Sequence, residues 1–179
     1  AMETAKIVVG EINGQIPRAM GDTMVHVSEF NYLIMSQDSP YYVGRWPLQD
    51  VYLKIAANVA QVIRDGSCIS YGLGPLYEAL AKTLATKRDL GIHSPFFTDA
   101  LMELVKSGAV SNRYKRVFRG KSCASHVIGT KELTDWLDMN PLIEFQPHDV
   151  VMDPRTIALN ENMVAIFPAR KVDLTGDIA

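Results

Sequence analysis

The sequence has few cysteines and no long apolar run. Its 179 residues include 2 cysteines, Cys68 and Cys123, which lack the paired spacing of zinc-binding motifs. Two cysteines are also too few for a disulfide scaffold, and both lie in apolar, strand-like runs, so we expect buried free thiols. No apolar run reaches membrane-spanning length, and no secretory signal pattern is present. The sequence therefore predicts no membrane partner.

An excess of charge is also missing. The chain has 18 Lys and Arg residues and 20 Asp and Glu residues, which gives a formal net charge of -2. A chain with this balance lacks the strong positive charge that is typical of nucleic-acid-binding proteins, so we do not expect nucleic acid as a partner. The one local basic run is best interpreted as a solvated loop, with contact to ligand phosphates as the alternative. It comprises Arg113, Lys115, Arg116, Arg119 and Lys121.

What the sequence does contain is apolar content in alternating strand-like and helix-like patterns. Hydrophobic residues make up 47% of the chain, enough to bury a core. Short apolar runs at residues 67–71, 90–93 and 121–128 predict strands. Each is followed by a turn or a cap and then a helical stripe, as at Leu76, Leu80 and Leu84. This alternation predicts an α/β fold with a mostly parallel sheet covered on both faces.

Several residues near the expected strand ends could carry chemistry. Gly72 and Gly74 lie between a strand and a helix, where backbone N–H groups can face a phosphate, carboxylate or thioester oxygen; a plain tight turn is the alternative. His93 ends a strand at the edge where parallel sheets place ligands, although a hydrogen-bonded structural histidine is the favoured interpretation. Asp99 is interpreted as a helix cap or first-turn acid pointing into the same region.

The remaining histidines give no metal-binding pattern. His26, His126 and His148 are scattered along the chain, with no cysteine or carboxylate at the spacing typical of zinc sites. We therefore predict no metal site from the sequence.

The order of many short segments resembles the acetyl-CoA hydrolase/transferase family, which includes 4-hydroxybutyrate, butyrate and succinate CoA-transferases. The matching segments extend through nearly the whole chain, and so many segments in the same order rarely coincide by chance. The segments are residues 5–8, 17–28, 72–75, 87–99, 104–112, 120–121, 129–133, 140–144, 153–154, 160–166 and 172–176. The resemblance implies a three-layer α/β/α arrangement of the CoA-transferase-like kind.

The resemblance also assigns roles to particular positions. In this family a glutamate attacks the acyl-CoA thioester and forms first an anhydride and then a glutamyl-CoA thioester. That glutamate directly follows the residue matching Ser94, so its place is taken by Pro95 in this chain. An asparagine that helps to hold the acyl group matches Phe167, and the family's glycine loop matches Gly72 and Gly74. The catalytic group is therefore unknown, with Asp99 and His93 as candidates.

The expected whole is a fragment of an acyl-CoA transferase or hydrolase homologue. Residues 1–45 are predicted to be the tail of a preceding domain, and residues 46–179 a CoA-transferase-like domain truncated at its C-terminus. The implied ligands are coenzyme A thioesters and small carboxylates, and no tightly bound cofactor is expected. The implied partners are the rest of the parent chain and a second copy in a homodimer. The implied location is the cytoplasm. The alternatives are a non-catalytic acyl-CoA-binding or assembly module, and a hydrolase whose water is activated by Asp99 or His93.

Overall fold

The computed structural model of the chain describes residues 2–178. Within these residues, seven strands and six α-helices form, and no helix is long and apolar enough to cross a membrane. The strands are β1 (Val9–Asn13), β2 (Tyr32–Ser36), β3 (Cys68–Tyr71), β4 (Gly91–Phe97), β5 (Ser122–Val127), β6 (Ile143–Phe145) and β7 (Met163–Ile166). The helices are α1 (Asp50–Val62), α2 (Pro75–Leu84), α3 (Asp99–Lys106), α4 (Lys131–Leu137), α5 (His148–Val151) and α6 (Pro154–Ala158).

A five-stranded sheet is the centre of the fold within the described residues. Its strand order is β6-β5-β4-β3-β7, and each neighbouring pair is parallel. Helix α2 packs against both α1 and α3, while α5 lies against β4 and β5. The predicted α/β class with a mostly parallel, helix-flanked sheet is thereby confirmed. The central strand is β4, and the strand order reverses between β3 and β7. In open parallel sheets, ligands bind at the carboxyl ends of the strands at such a reversal.

The central strands are short and apolar because both faces are covered. Every residue of β3 is buried, and Ile69, Ile92 and Ala124 are fully removed from solvent on three adjacent strands. Helix α2 covers this core with Leu80 and Leu84, which lie four residues apart and therefore on one helical face. The predicted buried thiols are also confirmed, since Cys68 and Cys123 are both free and buried.

The first forty residues form a separate small sheet. Strands β1 and β2 pair in parallel with each other, and Val9, Ile34 and Met35 on them are exposed. The largely apolar residues 24–27, whose composition favours a strand, form none; a short 3-10 helix, Val27–Glu29, begins after His26, which caps it. Backbone bonds of residues 20 and 22 to Phe145 hold this segment beside β6. The division near residue 45 remains a prediction.

Candidate functional site

The candidate site lies where β3, β4 and β7 end. Tyr71 is the last residue of β3 and pairs with Ile166, the last residue of β7. Gly72 and Phe167 directly follow these two partners, so they lie at the same edge of the sheet. Phe167 is 53% exposed, which leaves its ring at the surface of this edge.

The turn at residues 72–74 requires glycine at both ends. A Cβ on Gly72 would lie 2.6 Å from the Tyr77 hydroxyl oxygen, and Gly74 has a φ of +124°, which side chains with a Cβ rarely adopt. The Tyr77 hydroxyl donates to the Ile166 carbonyl at 3.0 Å. Tyr77, from the first turn of α2, therefore fixes the glycine turn against β7.

Pro95 lies inside β4, not in the loop predicted after His93. The strand continues to Phe97 and Pro95 is buried, which corrects the predicted strand end. The β3–β4 ladder pairs Cys68 with Gly91 and Ile69 with Ile92 and then stops. Continued by two residues in the same pattern, it would need the N–H of residue 95 to donate to the Tyr71 carbonyl. Proline has no N–H, so a regular ladder cannot extend to this point.

The Ser94 hydroxyl replaces the missing backbone hydrogen bonds between the ends of these two strands. Ser94 Oγ donates to the Tyr71 carbonyl and accepts from the Tyr71 N–H, at 3.0 Å each. Both groups are fully buried and would otherwise lack a partner. Ser94 has no role predicted from the sequence, although a serine directly before a proline in a strand is a signal for such a contact. One hydroxyl thus keeps the end of β3, and with it the glycine turn, beside β4.

The ladder on the other side of β4 also skips Pro95. Ser94 pairs with Ala124 and Phe96 with His126, while the pair between them, Pro95 and Ser125, does not form. Ser125 Oγ is buried and has no hydrogen-bond partner within residues 2–178. Tyr71 Oη, Thr98 Oγ1 and His93 Nδ1 share this condition. Buried polar atoms without partners are uncommon in folded proteins, and these four belong to β3, β4 and β5 or directly follow β4.

His93 is held in the interior. It is 1% exposed, and its Nε2 lies 2.7 Å from the Val151 carbonyl of α5, to which it donates. Burial lowers the pKa of His93, with the Val151 bond opposing and nearby Lys115 adding to the effect. The ring is therefore favoured in its neutral form with Nε2–H occupied, which matches the structural interpretation of this residue.

Asp99 connects the starts of two helices. As the first residue of α3, its carboxylate accepts from the N–H and the hydroxyl of Thr130, the N-cap of α4, at 3.1 and 2.5 Å. It is 4% exposed. Asp99 also lines a small cavity of about 10 Å³ with Thr98 and the Gly72–Gly74 turn. That volume suits one water molecule at most, so Asp99 is next to the turn but faces no open cleft.

The basic run lies at the opposite, amino end of the strands. Its outer members form ion pairs, Arg113 with Asp89 and Arg116 with Glu161. Lys115 departs from the predicted solvated loop, because it is 3% exposed and donates to the carbonyls of Ile92 and Lys121 at 2.7 and 2.8 Å. The ammonium group satisfies carbonyls at the starts of β4 and β5, which is a structural role.

Buried Lys115 gives a pH-dependent stability. Burial lowers its pKa from 10.5 to about 8, against the opposing effect of Cys68 and other neighbours. At Lys115 the unfolded chain therefore binds more protons than the folded chain between pH 8 and 10.5, so this residue makes the free energy of unfolding rise with pH there. We expect Lys115 to contribute a rise of roughly 1 kcal/mol between pH 8 and 9.

Urea unfolding of the wild type and of Lys115→Met at each pH measures this contribution as the difference between the two proteins, because both keep the two buried thiols. Above pH 9 the trend reverses, because burial raises the pKa of the Cys68 thiol to about 11 and of the Cys123 thiol to about 12. A wild-type slope equal to that of Lys115→Met between pH 8 and 9 would contradict the assignment.

Comparison with known proteins places this geometry in a family. The acetyl-CoA hydrolase/transferase C-terminal domain matches residues 129–179. The 4-hydroxybutyrate coenzyme A transferase of Clostridium kluyveri is 37% identical over 178 residues, which are 99% of this chain and 42% of that protein. The succinyl-CoA:cyclohexane-1-carboxylate CoA transferase of Geobacter metallireducens is 35% identical over 98% of this chain and 40% of its own length.

Solved structures agree with the sequence relatives. The 4-hydroxybutyrate CoA-transferase of Porphyromonas gingivalis superposes with a TM-score of 0.94 at 33% identity, over 99% of this chain and 45% of that chain. RipA from Yersinia pestis gives the same TM-score at 30% identity, over 99% and 41%. The chain spans about two fifths of the length of the curated relatives described here. In fold and in sequence, the chain belongs to the acetyl-CoA hydrolase/transferase family.

Proposed function

We propose that the protein carrying this chain binds coenzyme A thioesters of small carboxylic acids, and that this chain does not transfer CoA through the family's enzyme-bound glutamate. The support for the first part is the family membership, since relatives are named as CoA-transferases for 4-hydroxybutyrate and for succinate. The support for the second part is Pro95. By its resemblance to the family, the chain has a proline where the attacking carboxylate would lie.

The family's chemistry depends on a nucleophile and on fixed donors. A carboxylate must attack the thioester carbon, and N–H groups must stabilise the oxyanion that forms. The side chain of Pro95 can form neither an anhydride nor a thioester, and its backbone lacks the N–H. The glycine turn, by contrast, keeps backbone groups at the carboxyl edge of the sheet. Binding without covalent transfer is therefore the function that this arrangement favours.

The aromatic ring of Phe167 supports the same proposal. It matches the position of an asparagine that helps to hold the acyl group in relatives, and it lies beside Gly72 at the sheet edge. Replacing an amide by an aromatic ring removes a hydrogen-bonding group and makes this part of the edge more apolar. We infer that the acyl portion meets a smaller, drier surface than in the transferases.

Of the alternatives, the acyl-CoA-binding or assembly module fits these observations better than a hydrolase. For a hydrolase, Asp99 or His93 would have to activate water. The Asp99 carboxylate already accepts two bonds from Thr130, and His93 Nε2 already donates to Val151. Neither side chain offers a free base to an open cleft in this arrangement.

The full-length protein provides the decisive test. We would incubate it with acetyl-CoA and a small carboxylate, and would measure thioester exchange, release of free thiol and equilibrium binding of acetyl-CoA. Saturable binding with neither exchange nor thiol release is the expected result. Exchange through a trapped enzyme–CoA thioester would overturn the proposal, and thiol release without exchange would favour the hydrolase.

The setting of the protein follows from the same proposal. The substrates would be an acyl-CoA and a small carboxylate, as in acetate metabolism, in the cytoplasm and without a metal cofactor. The exposed apolar side chains of β1 and β2 suit contact with the remainder of the parent chain or with a second copy in a homodimer. Sedimentation of the full-length protein measures the oligomeric state directly.

A further inference from the structure

We propose that His126 and His148 together form a surface site for a divalent transition-metal ion of the imidazole-preferring class, such as Zn²⁺. The two residues are 22 positions apart in the sequence, and their spacing gives no motif. The fold brings their rings to a centroid separation of 5.7 Å, with an angle of 60° between the ring planes. The proposal does not depend on the proposed acyl-CoA function.

The ring separation suits a shared ion. With zinc–nitrogen distances of about 2.0–2.1 Å, each ring centroid would lie about 3.2 Å from the metal. Centroids 5.7 Å apart then correspond to a nitrogen–metal–nitrogen angle of about 125°. An approach of the two rings by about 0.5 Å would give the tetrahedral angle. Small rotations of exposed side chains are enough for this movement.

Both imidazoles are also chemically available. His126 and His148 are exposed, and within residues 2–178 neither imidazole forms a hydrogen bond or an ion pair. This contrasts with His93, whose Nε2 is occupied by Val151, and with His26, whose Nδ1 lies 2.8 Å from the Ser28 hydroxyl. A neutral imidazole with a free ring nitrogen is a good ligand for zinc, nickel or copper.

The backbone holds the two histidines in place. His126 lies in β5, paired with Phe96 of β4, and its ring is 5.9 Å from the Phe96 ring. His148 begins α5 directly after Pro147, whose ring fixes its own φ angle. The bond from the Gln146 N–H to the Ala124 carbonyl at 2.9 Å ties the segment before α5 to β5. The chelating geometry is thus largely organised before an ion binds.

Two protein ligands define the chemistry of this site. No group of three or more His, Cys, Asp or Glu side chains suited to a metal ion occurs among the described residues. An ion at the pair would therefore keep its other positions for water or for a small anionic ligand such as a carboxylate. This predicts moderate, reversible binding, in contrast to the tight binding of a closed structural zinc site.

Calorimetric titration of the chain with Zn²⁺ tests the proposal. We expect one saturable site per chain at pH 7.5, and at least about a tenfold loss of affinity in His126→Gln and in His148→Gln, since each removes one arm of the chelate. His26→Gln is the matched control and should bind like the wild type. Binding should weaken at pH 5.5, because protons compete with the metal for imidazole nitrogen.

A spectroscopic readout locates the ion. The ring resonances of His126 and His148 should shift on addition of Zn²⁺ in NMR spectra, while those of buried His93 stay in place. Loss of affinity in His26→Gln equal to that in the two site variants, or no saturable binding up to about 1 mM Zn²⁺, would overturn the proposal. Circular dichroism confirms that each exposed-site variant is folded before titration.

Discussion

Full-length protein carrying Pro95→Glu and Phe167→Asn is expected to gain CoA-transferase activity. The double change places a carboxylate nucleophile and an amide at the two positions that the family resemblance assigns to them. Loss of a covalent nucleophile commonly lowers the rate by roughly four to six orders of magnitude, about 5–8 kcal/mol in activation free energy. Recovery of even a small part of this rate is measurable. Exchange between acetyl-CoA and a carboxylate is the measurement. This prediction rests on the proposed function.

The matched control is Pro95→Gln with Phe167→Asn. Glutamine has the same length and also restores the backbone N–H, but its amide cannot attack the thioester. Activity in the glutamate variant alone would assign the gain to the carboxylate. If the folded glutamate variant still binds acetyl-CoA but exchanges no faster than the glutamine control, the site has diverged beyond these two groups. Absence of acetyl-CoA binding in every variant would instead contradict the proposed function itself.

Ser94→Ala is expected to destabilise the fold by roughly 2–4 kcal/mol, since two fully buried backbone groups of Tyr71 lose their partner. Unfolding in urea, followed by circular dichroism, measures the change. The physical reason is specific to Pro95: with no N–H at this position, the backbone cannot replace the lost hydroxyl. The end of β3 and the glycine turn that follows it would both loosen.

A second-site change tests that reason. In the Ser94→Ala background, Pro95→Ala restores an N–H that can donate to the Tyr71 carbonyl, so part of the lost stability should return. Ser125→Ala is the matched control, because Ser125 Oγ is buried without a partner within residues 2–178. That change should cost less than about 0.5 kcal/mol or stabilise the protein. A loss in Ser125→Ala as large as in Ser94→Ala would refute the explanation.

Much of the fold could be read from the sequence because its signals are local. Short β-branched and apolar runs predicted β3 and β5, and the stripe of Leu76, Leu80 and Leu84 predicted α2. Alternation of these elements is enough to imply a parallel sheet, since parallel strands need crossover connections. Family resemblance then located the glycine turn and Pro95. The predicted end of β4 was wrong because proline normally stops a strand, and the Ser94 hydroxyl that rescues it is a tertiary contact.

What surrounds each candidate side chain was decided only by the tertiary structure. The sequence determined the residue types: two glycines at a turn, a proline at position 95, Lys115 in a basic run, and four dispersed histidines. Folding decided that Lys115 is buried at the strand starts, that His93 is bound to Val151, and that His126 meets His148. Such properties depend on which distant segments pack together, and neither spacing nor composition encodes the distance between them. Local propensity fixed the elements, whereas long-range packing fixed burial, protonation and the pairing of side chains.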